Sequence, residues 1–429
     1  MRILQGKAAE LAVAKLECRS TSLDEVEPAV RRILREVRRG GDRQLYRYAT
    51  MWDDLHAGQS PRVSKDEITQ AWRETPEQIR DALRRAASSI RRFCRWQLPR
   101  EWRKTVDGGE LGQMVRPLAS VGCYVPGGRY PLPSTLLMTV IPAQVAGVPR
   151  ICVMSPRPHP VTLAAAALLG VTEVYRCGGA QAIAAFAYGT ESIARVDKIV
   201  GPGNKFVTAA KKLVSFDCAI DMLAGPTEAV LYSDNGNPAF IAADMVAQAE
   251  HDPDAVVVFV TTRKGLAEEV KNALAVASRK NSTAQAAIRR NASLLVASSE
   301  HEAMEWVNRI APEHLTVDEE GVVASISSAG SVFVGPYSAQ AVGDYAAGPN
   351  HVLPTAGAAR FRGGLGVHDF VKLVTVQRFH AEGLRNIALL VTTLADAEGL
   401  EAHAESVRVR SGDRQTGRPR ARKARVAHA

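Results

Sequence analysis

A glutamate and a histidine stand side by side in the segment Ala311-Pro-Glu-His-Leu315. The residues that follow predict a short strand, so Glu313 and His314 would lie at its mouth. Histidine titrates near neutral pH and is the commonest general base, and a neighbouring carboxylate can orient a water molecule or raise the basicity of the imidazole. The dipeptide is therefore a candidate for proton transfer, and a solvated surface pair is the alternative.

A second candidate lies in the segment Ala239–His251, which its apolar residues predict to be a helix ended by Asp252-Pro253. Gln248 and His251 are three positions apart and would share one face near the end of that helix. Zinc binds imidazole nitrogen readily and carboxamide oxygen less often. The spacing alone leaves open both a metal site and an ordinary polar helix end.

Two further segments combine carboxylates with imidazoles. Asp344 and His351 belong to a dense loop, Val342-Gly-Asp-Tyr345 followed by Gly348-Pro-Asn-His351. Glu398 and His403 stand five positions apart in a predicted helix, where they do not lie directly above one another. Taken separately, each of these groups fits a polar surface better than a site.

Three glycine-rich loops follow predicted strands: Tyr124-Val-Pro-Gly-Gly128, Gly178-Gly-Ala-Gln181 and Gly201-Pro-Gly-Asn204. Loops at the carboxyl ends of parallel strands bind ligands, glycine allows close approach of the backbone, and helix N-termini favour anions. None of the loops has the spacing G-x-G-x-x-G of the usual dinucleotide motif. Each alone is explained as well by the turns that any α/β sheet needs.

These candidates are positioned by elements of two kinds. Val26–Arg39 and Pro76–Trp96 show apolar residues at helical spacing, with arginines on the other side. From Leu118 onward, short β-rich runs alternate with alanine-rich helical stretches, which predicts parallel α/β sheets. The predicted strands are Ala119–Val125, Arg150–Met154, Glu173–Cys177, Lys198–Val200, Ala229–Tyr232, Ala255–Thr261, Ser293–Val296 and Ser331–Val334.

Composition excludes several classes of protein. The chain has 429 residues, of which 46% are hydrophobic, enough for two or three cores and unlike a disordered protein. No apolar run approaches the length needed to span a bilayer, and the first residues lack the layout of a signal peptide. We therefore expect a cytoplasmic protein with no membrane partner.

The charge is concentrated at the C-terminus. The formal net charge is +9, and residues 411–429 contribute six Lys or Arg and one Asp, or +5 of it. We expect a solvated, disordered tail. A nucleic-acid contact is the alternative, but the tail has none of the interleaved aromatic residues that such a site uses, so no nucleic-acid partner is predicted.

The six cysteines form no C-x-x-C pair and no zinc-finger spacing with a histidine. Cys123, Cys152 and Cys177 stand in apolar stretches, which predicts buried thiols in a reducing compartment.

Taken together, eight ordered segments resemble histidinol dehydrogenase, over roughly residues 20–410. These segments are VGCYVPGGRYPLPST, YRCGGAQAIAAFAYGT, DKIVGPGNKFVTAAKK, AIDMLAGPTE, AADMVAQAEHDPDA, NRIAPEHL, VGDYAAGPNHVLPT and EGLEAHAESVRVR. Several of them are long and specific, so separate chance explanations do not account for the whole set.

The resemblance implies a zinc site, one ion per subunit, with ligands at Gln248, His251, Asp344 and His403. In this family His403 would come from the partner subunit, which implies a homodimer with a shared active site. The substrate would complete the metal shell through its imidazole and amino nitrogens. Glu398 would bind the substrate amino group, and Thr227, Gln248, His251, His314, Asp344 and His403 would also contact the substrate.

The resemblance also implies NAD contacts at Tyr124, Gln181 and Asn204, and a catalytic role for Glu313 and His314. His314 would remove the hydroxyl proton of L-histidinol in the first oxidation. Glu313 would then activate the water that adds to the bound L-histidinaldehyde, and a second NAD would take the second hydride to give L-histidine, the last steps of histidine biosynthesis. No cysteine adduct is required.

The implied fold is α/β, with two incomplete Rossmann-like domains and small helical extensions at both ends, an aldehyde-dehydrogenase-like architecture. The expected divisions are a helical arm (1–20), a first domain (21–122 and 230–365), a second, NAD-binding domain (123–229), a C-terminal helical domain that contributes to the partner active site (366–410) and the basic tail (411–429).

Two other functions are compatible with parts of the sequence. The stretch GAARFRGGLGV shares some character with zinc/NAD dehydrogenases of other polar alcohols such as a sulfopropanediol. The carboxylate at Glu398 suits an amine and repels a sulfonate, which favours histidinol. A binding protein without catalytic activity is the other alternative, and the intact Glu313, His314 and metal positions argue against it.

Overall fold

In a computed structural model of the protein, residues 1–20, 22–56, 58–127 and 131–412 are described. Gly128 of the first glycine loop and the predicted tail from residue 413 onward lie outside the described residues. The chain divides into two compact units. Unit 1 comprises Met1–Leu98 and Pro117–Val371, and unit 2 comprises Pro99–Arg116 and the residues after Val371.

The strands are β1 (Ile3–Gln5), β2 (Trp102–Val106), β3 (Gly109–Pro117), β4 (Ser120–Tyr124), β5 (Arg150–Met154), β6 (Glu173–Tyr175), β7 (Lys198–Val200), β8 (Ala219–Ile220), β9 (Glu228–Tyr232), β10 (Val256–Thr261), β11 (Ser293–Val296), β12 (His314–Val317), β13 (Ser331–Val334) and β14 (Val371–Phe379). The helices are α1 (Gly6–Glu17), α2 (Glu27–Trp52), α3 (Lys65–Glu74), α4 (Glu77–Trp96), α5 (Pro133–Ala146), α6 (Pro160–Leu168), α7 (Gly179–Tyr188), α8 (Lys205–Val214), α9 (Pro238–Ala249), α10 (Lys264–Ala277), α11 (Ser282–Asn291), α12 (Glu300–Ile310), α13 (Gln340–Tyr345), α14 (Ala381–Ala397) and α15 (Glu401–Ser411). Short 3₁₀ turns occupy Ser278–Lys280, Glu320–Ser325, Ala358–Arg360 and Val367–Phe370.

One sheet of unit 1 contains five parallel strands in the order β6-β5-β4-β7-β8. Counted along the chain, this is the order 3-2-1-4-5 of a Rossmann-like sheet that stops one strand short. Every residue of the central strand β4 is buried, because helices cover both faces of the sheet. The strand order reverses between β4 and β7, and their carboxyl ends are where a sheet of this kind binds ligands.

The other sheet of unit 1 repeats this order. It runs β1-β11-β10-β9-β12-β13, with all neighbours parallel. The strands from β9 to β13 again give 3-2-1-4-5, and β1 extends the edge by pairing with β11. The predicted α/β class with two Rossmann-like sheets is confirmed.

The N-terminal helices pack differently from the predicted division. Side chains of α2 share a buried core with β4 and β5, and side chains of α3 and α4 share a second core with the same strands. Helices α2, α3 and α4 therefore belong with the five-stranded sheet, whereas the prediction placed residues 21–122 with the other sheet. The arm 1–20 in turn supplies β1 to the six-stranded sheet. An apolar stripe in the sequence indicates that one face of a helix is buried, but it does not indicate which sheet that face packs against.

Residues 366–410 had been predicted to form a helical domain, whereas unit 2 also contains strands. It contains a three-stranded sheet in the order β14-β3-β2, with β2 antiparallel to β3. Gly108, in the turn between β2 and β3, lies directly against Gly383 in α14, and a Cβ on Gly108 would meet the Gly383 Cα at 1.9 Å. In the described part of the chain, no helix is long and apolar enough to cross a membrane.

Candidate active site

The Glu313 cavity, of about 210 Å³, lies in unit 1 between the two sheets. Gly201 and Asp221 reach it from beyond the carboxyl ends of β7 and β8, and Thr227, Glu313 and His314 from the amino ends of β9 and β12. The remaining lining residues are Leu132, Ser134, Thr135, Pro202, Met222, Ala224, Gly225, Gln248, His251, Asp344, Tyr345, His351, Val352, Leu353 and Thr355.

Glu313 is a buried carboxyl with hydrogen-bond donors on one oxygen. Its Oε2 accepts from the Thr227 hydroxyl at 2.7 Å and from the Glu228 backbone N–H at 2.9 Å. Burial raises the pKa of Glu313 to about 7, although His314 and these two donors lower it; the charge of Glu228 adds to the rise. A carboxyl with this pKa can both hold and release a proton near neutral pH.

His314 is the first residue of β12 and is 3% exposed. Its Nδ1 lies 3.8 Å from Glu313 Oε2, and its Nε2 lies 3.8 Å from Asp344 Oδ1. Burial lowers the pKa of His314, but the two carboxylates outweigh it and the net pKa lies above the ordinary value. The structure thus places the predicted catalytic pair in one buried group rather than on a surface.

Asp344 is surrounded by imidazoles. Besides His314, the charges of His351 and His251 act on it, and together these groups outweigh burial and lower the pKa of Asp344. The Nδ1 of His351 lies 2.9 Å from the Asp344 carbonyl oxygen and donates to it, which leaves Nε2 facing the Thr135 hydroxyl at 3.5 Å.

Gln248 and His251 both line the Glu313 cavity, but not as one helical face. α9 ends at Ala249, so His251 lies beyond the helix, in a turn. The His251 backbone N–H donates a long hydrogen bond, of 3.4 Å, to the Gln248 carbonyl oxygen. Pro253 disfavours helical backbone at Asp252 and explains why the end comes early. The Gln248 Oε1 lies 3.1 Å from the Thr227 hydroxyl oxygen, which places this amide beside the Glu313 group.

The donor types of Gln248, His251 and Asp344 suit a metal, and the three residues line one cavity of unit 1. No cluster of three or more His, Cys, Asp or Glu side chains arranged around a metal position is found among the described residues.

Glu398 and His403, which were also predicted to contribute to this site, belong to unit 2. Glu398 follows the last residue of α14, and His403 lies in the first turn of α15; Gly399, at a φ of 75°, separates the two helices where one had been predicted.

The Tyr124 cavity, of about 480 Å³, lies at the carboxyl ends of β4, β5 and β6. It brings together the three residues predicted to contact NAD, Tyr124, Gln181 and Asn204. Its other lining residues are Ile33, Trp52, Asp53, Pro126, Gly127, Pro156, Arg157, Gly179, Ala180 and Phe206.

Gly127, in the first glycine loop beside the Tyr124 cavity, lies too close to neighbouring backbone to carry a side chain. A Cβ on Gly127 would lie 1.9 Å from the Pro156 carbonyl oxygen. The Gly179 N–H donates to the Tyr124 hydroxyl at 3.1 Å. Asn204 caps α8 by accepting from the N–H groups of Phe206 and Val207. A loop and a helix N-terminus in this arrangement fit a phosphate-bearing ligand.

Asp53 was not predicted from the sequence. This buried residue at the end of α2 accepts from the Gly178 N–H at 2.9 Å and from Gln181 Nε2 at 3.0 Å. Burial raises the pKa of Asp53 in spite of these two donors. It fixes the Gln181 amide, and no sequence pattern links a residue in α2 to a loop more than a hundred positions later.

Arg19 and Glu228 were also missed. The Arg19 guanidinium pairs with the Glu228 carboxylate through two contacts, and the Glu228 carboxylate also accepts from the Ala356 N–H at 2.9 Å. Glu228 follows Thr227 directly, so Arg19 offsets a negative charge beside Glu313. The GPTE motif was the available signal for Glu228, whereas Arg19 has none.

The cysteines do not contribute nucleophiles. All six are free, and all but Cys18 are buried. Burial raises the pKa of Cys123 to about 12, and it raises the pKa of Cys152 and of Cys177 well above the ordinary value. Neither cavity is lined by a cysteine.

Comparison with known proteins supports one family. The sequence profile of the histidinol dehydrogenase family matches residues 16–411. A histidinol dehydrogenase of Haloarcula marismortui is 47% identical over 403 residues, 91% of this chain and 95% of that protein. One from Natronomonas pharaonis is 48% identical over 407 residues, 92% and 96% of the two chains. The crystal structure of a histidinol dehydrogenase from Elizabethkingia anophelis superposes with a TM-score of 0.91 at 34% identity, covering 96% of this chain and 98% of that one.

Proposed function

Since this chain belongs to the histidinol dehydrogenase family of oxidoreductases, we propose that it oxidises L-histidinol to L-histidine with NAD⁺, in the last steps of histidine biosynthesis. The observation that carries the proposal is the buried pair Glu313–His314, set in a cavity that Gln248, His251 and Asp344 also line. The balanced reaction converts histidinol, water and two NAD⁺ into histidine, two NADH and three protons.

His314 is the base for the alcohol. Its Nε2 and Nδ1 lie between two carboxylates, Asp344 and Glu313, which stabilise the imidazolium that forms when it takes the hydroxyl proton. The His314 ring is also held by Phe333, whose ring stacks 5.9 Å away. The base is therefore oriented before substrate arrives.

Glu313 is the base for water in the second oxidation. Its pKa of about 7 means that the ionised form is present at neutral pH and binds a proton more strongly than an ordinary carboxylate does. The Thr227 hydroxyl and the Glu228 N–H hold one oxygen, which leaves the other free to accept a proton from water. The water adds to the bound histidinaldehyde, and no thiol is needed.

Zinc, one per subunit, would be held by Gln248, His251, Asp344 and the partner subunit's His403. When bound, it would hold the substrate through the substrate's imidazole and amino nitrogens, and Glu398 would bind the amino group. The donor types of Gln248, His251 and Asp344 in the Glu313 cavity support the proposal. In this assignment unit 1 supplies three of the four protein ligands. This proposed zinc site requires a homodimer in which both subunits contribute residues to each active site.

NAD⁺ would bind in the Tyr124 cavity, against Tyr124, Gln181 and Asn204, and when bound would supply the hydride acceptor for both oxidations. The capped N-terminus of α8 and the glycine loops are the features that support this assignment. We further propose that the enzyme works in the cytoplasm and has neither a nucleic-acid nor a membrane partner.

The test is the absorbance at 340 nm of purified protein with NAD⁺ and L-histidinol, before and after prolonged chelation. We expect about two NADH per histidinol, loss of activity after chelation and its return with zinc. NADH formation that survives complete removal of metal would overturn the zinc assignment. No NADH from metal-loaded dimer would overturn histidinol as substrate, and a sulfopropanediol would then be assayed.

A further inference from the structure

A lysine and an aspartate form an ion pair inside unit 1. Lys211, on α8, is 2% exposed, and the Asp221 side chain, beyond β8, is fully buried. The Lys211 Nζ contacts Asp221 Oδ1 directly. Taking two charges out of water is unfavourable, and apolar residues of similar volume often stabilise a fold as well or better. The pair therefore calls for an explanation other than stability.

Both charges hold the backbone of one residue, Gly201. Asp221 Oδ2 accepts from the Gly201 N–H at 2.7 Å, and Lys211 Nζ donates to the Gly201 carbonyl oxygen at 2.9 Å. Gly201 has a φ of 112°, and a Cβ there would lie 2.1 Å from the Tyr124 carbonyl oxygen. The ion pair thus fixes Gly201, a position where only glycine fits, against the backbone of Tyr124.

The segment that begins at Gly201 separates the two cavities. Gly201 and Pro202 line the Glu313 cavity, and Asn204, two residues later, lines the Tyr124 cavity and caps α8. Asp221 itself lines the Glu313 cavity and begins the segment that leads to Thr227. A second link joins the same two parts, because the Thr208 hydroxyl on α8 donates to the Ala224 carbonyl oxygen at 2.9 Å.

We infer that Lys211 and Asp221 are positioning residues that fix the Tyr124 cavity relative to the Glu313 cavity. The inference rests on the proposed function in one respect: NAD⁺ in one cavity and substrate in the other must meet at a defined distance for hydride to transfer. A misplacement of about 1 Å can lower such a rate by about 100-fold. Neither side chain touches the reacting atoms in this assignment.

The test removes both charges together. Lys211→Met alone would leave Asp221 as an unpaired buried charge, so the test variant is Lys211→Met/Asp221→Asn, in which the amide can still accept from the Gly201 N–H. The matched control is Arg150→Met/Glu173→Gln, which removes an ion pair from the amino edge of the same sheet, away from both cavities. Asp221→Asn alone is the second variant; it leaves Lys211 without its counter-charge but keeps the Lys211 hydrogen bond to the Gly201 carbonyl oxygen.

Two readouts are needed. In steady-state kinetics we expect kcat to fall about 10- to 100-fold and the KM for NAD⁺ to rise, while the control stays near wild type. In hydrogen–deuterium exchange we expect the amides of residues 201–208 and 221–227 to exchange faster together in the test variant, and not in the control.

The outcomes separate the two proposals. Unchanged kcat and KM with a lowered melting temperature would make the pair merely structural and overturn the inference. Faster exchange in only one of the two segments would also overturn it. If wild type forms no NADH from histidinol, the proposed function fails, but the exchange experiment still decides whether the pair joins the two segments. If the double variant does not fold, Asp221→Asn gives the same readouts.

Discussion

Glu313→Gln separates the chemistry of the Glu313 carboxyl from its packing. The amide has the same size, and its oxygen can still accept from the Thr227 hydroxyl and the Glu228 N–H. What it lacks is the negative charge and the ability to take a proton. The substitution therefore tests directly whether this carboxyl is a base with a raised pKa.

The raised pKa carries a cost in stability that depends on pH. In the unfolded chain the carboxyl has its ordinary pKa of 4.5, whereas in the folded protein the pKa is about 7. A pKa that is higher in the folded state gives stability that is fully present below the unfolded value and lost as the pH rises through the folded value. A difference of about 2.5 pKa units corresponds to roughly 3 kcal/mol. Relative to wild type, Glu313→Gln should gain about this much free energy of unfolding between pH 4.5 and pH 7, and little beyond.

The pKa of Glu313 should also determine how the rate of histidinaldehyde oxidation depends on pH. With a pKa of about 7, the carboxyl is about one-tenth ionised at pH 6 and almost fully ionised above pH 8. Oxidation of histidinaldehyde by wild type should therefore be about tenfold slower at pH 6 than at pH 8. Loss of a general base typically lowers a rate by about 10²- to 10⁴-fold, so Glu313→Gln should oxidise the aldehyde at least about a hundredfold more slowly, without this pH dependence.

Both effects can be measured on the same preparations. NADH formation from histidinaldehyde is followed from pH 6 to pH 9, and urea unfolding from pH 5 to pH 8. The protein concentration is kept fixed, because the proposed dimer would unfold in a concentration-dependent way. Glu268→Gln, an exposed glutamate on α10, is the control. A stability difference that does not change with pH would refute the raised pKa, and a normal rate of aldehyde oxidation would refute the assignment of the base.

Three further substitutions and one truncation test other parts of the site. His314→Asn should slow histidinol oxidation by about 10²- to 10⁴-fold. Because the raised pKa of His314 keeps the wild-type imidazole protonated to higher pH, the wild-type rate should rise with pH. A normal first turnover of the variant in stopped flow would contradict the role of His314 as the base. His403→Asn should lower both activity and zinc per subunit, measured by elemental analysis, and unchanged zinc would exclude the residue as a ligand. Asp53→Ala should raise the KM for NAD⁺ by about tenfold or more through loss of the charged hydrogen bond to Gln181, and equal KM values would show that the contact does not position the amide. Cutting the chain after Arg410 should leave kcat intact, and a large loss would assign the tail a structural role.

Most strands of the two parallel sheets were predictable because each is a short run of apolar residues. Arg150–Met154 and Ser293–Val296 have the predicted bounds. β1 was not predictable, since three residues before a helix show no alternation and the strand exists only through its pairing with β11. Strands β2 and β14 of unit 2 are largely exposed and mixed in character, so they resemble loops in the sequence.

The site was predictable residue by residue only through the family resemblance. Spacing alone indicated that Gln248 and His251 share a helical face, and the structure instead ends α9 between them. The burial of Glu313 and His314, from which their pKa values follow, comes from strands β9 and β12 lying side by side, a contact between residues far apart in sequence. Arg19, Asp53 and Lys211 were missed for the same reason, because a charge and its partner leave no joint pattern when they are remote in the chain.

The pairing of β1 with β11 also bears on how the protein is made. Ile3 pairs with Leu294, 291 residues later, so at a synthesis rate of about 5–20 residues per second β1 waits about 15–60 s for its neighbour. All the strands of the five-stranded sheet leave the ribosome in that interval, and this sheet can form while the first strand is still unpaired. Arg19 follows β1 closely in the chain and meets Glu228 only when the later sheet assembles. The surroundings of Glu313 are thus completed by a part of the chain that is synthesised long before Glu313 itself, and an alteration near residue 3 can reach the chemistry near residue 313 through the order of assembly.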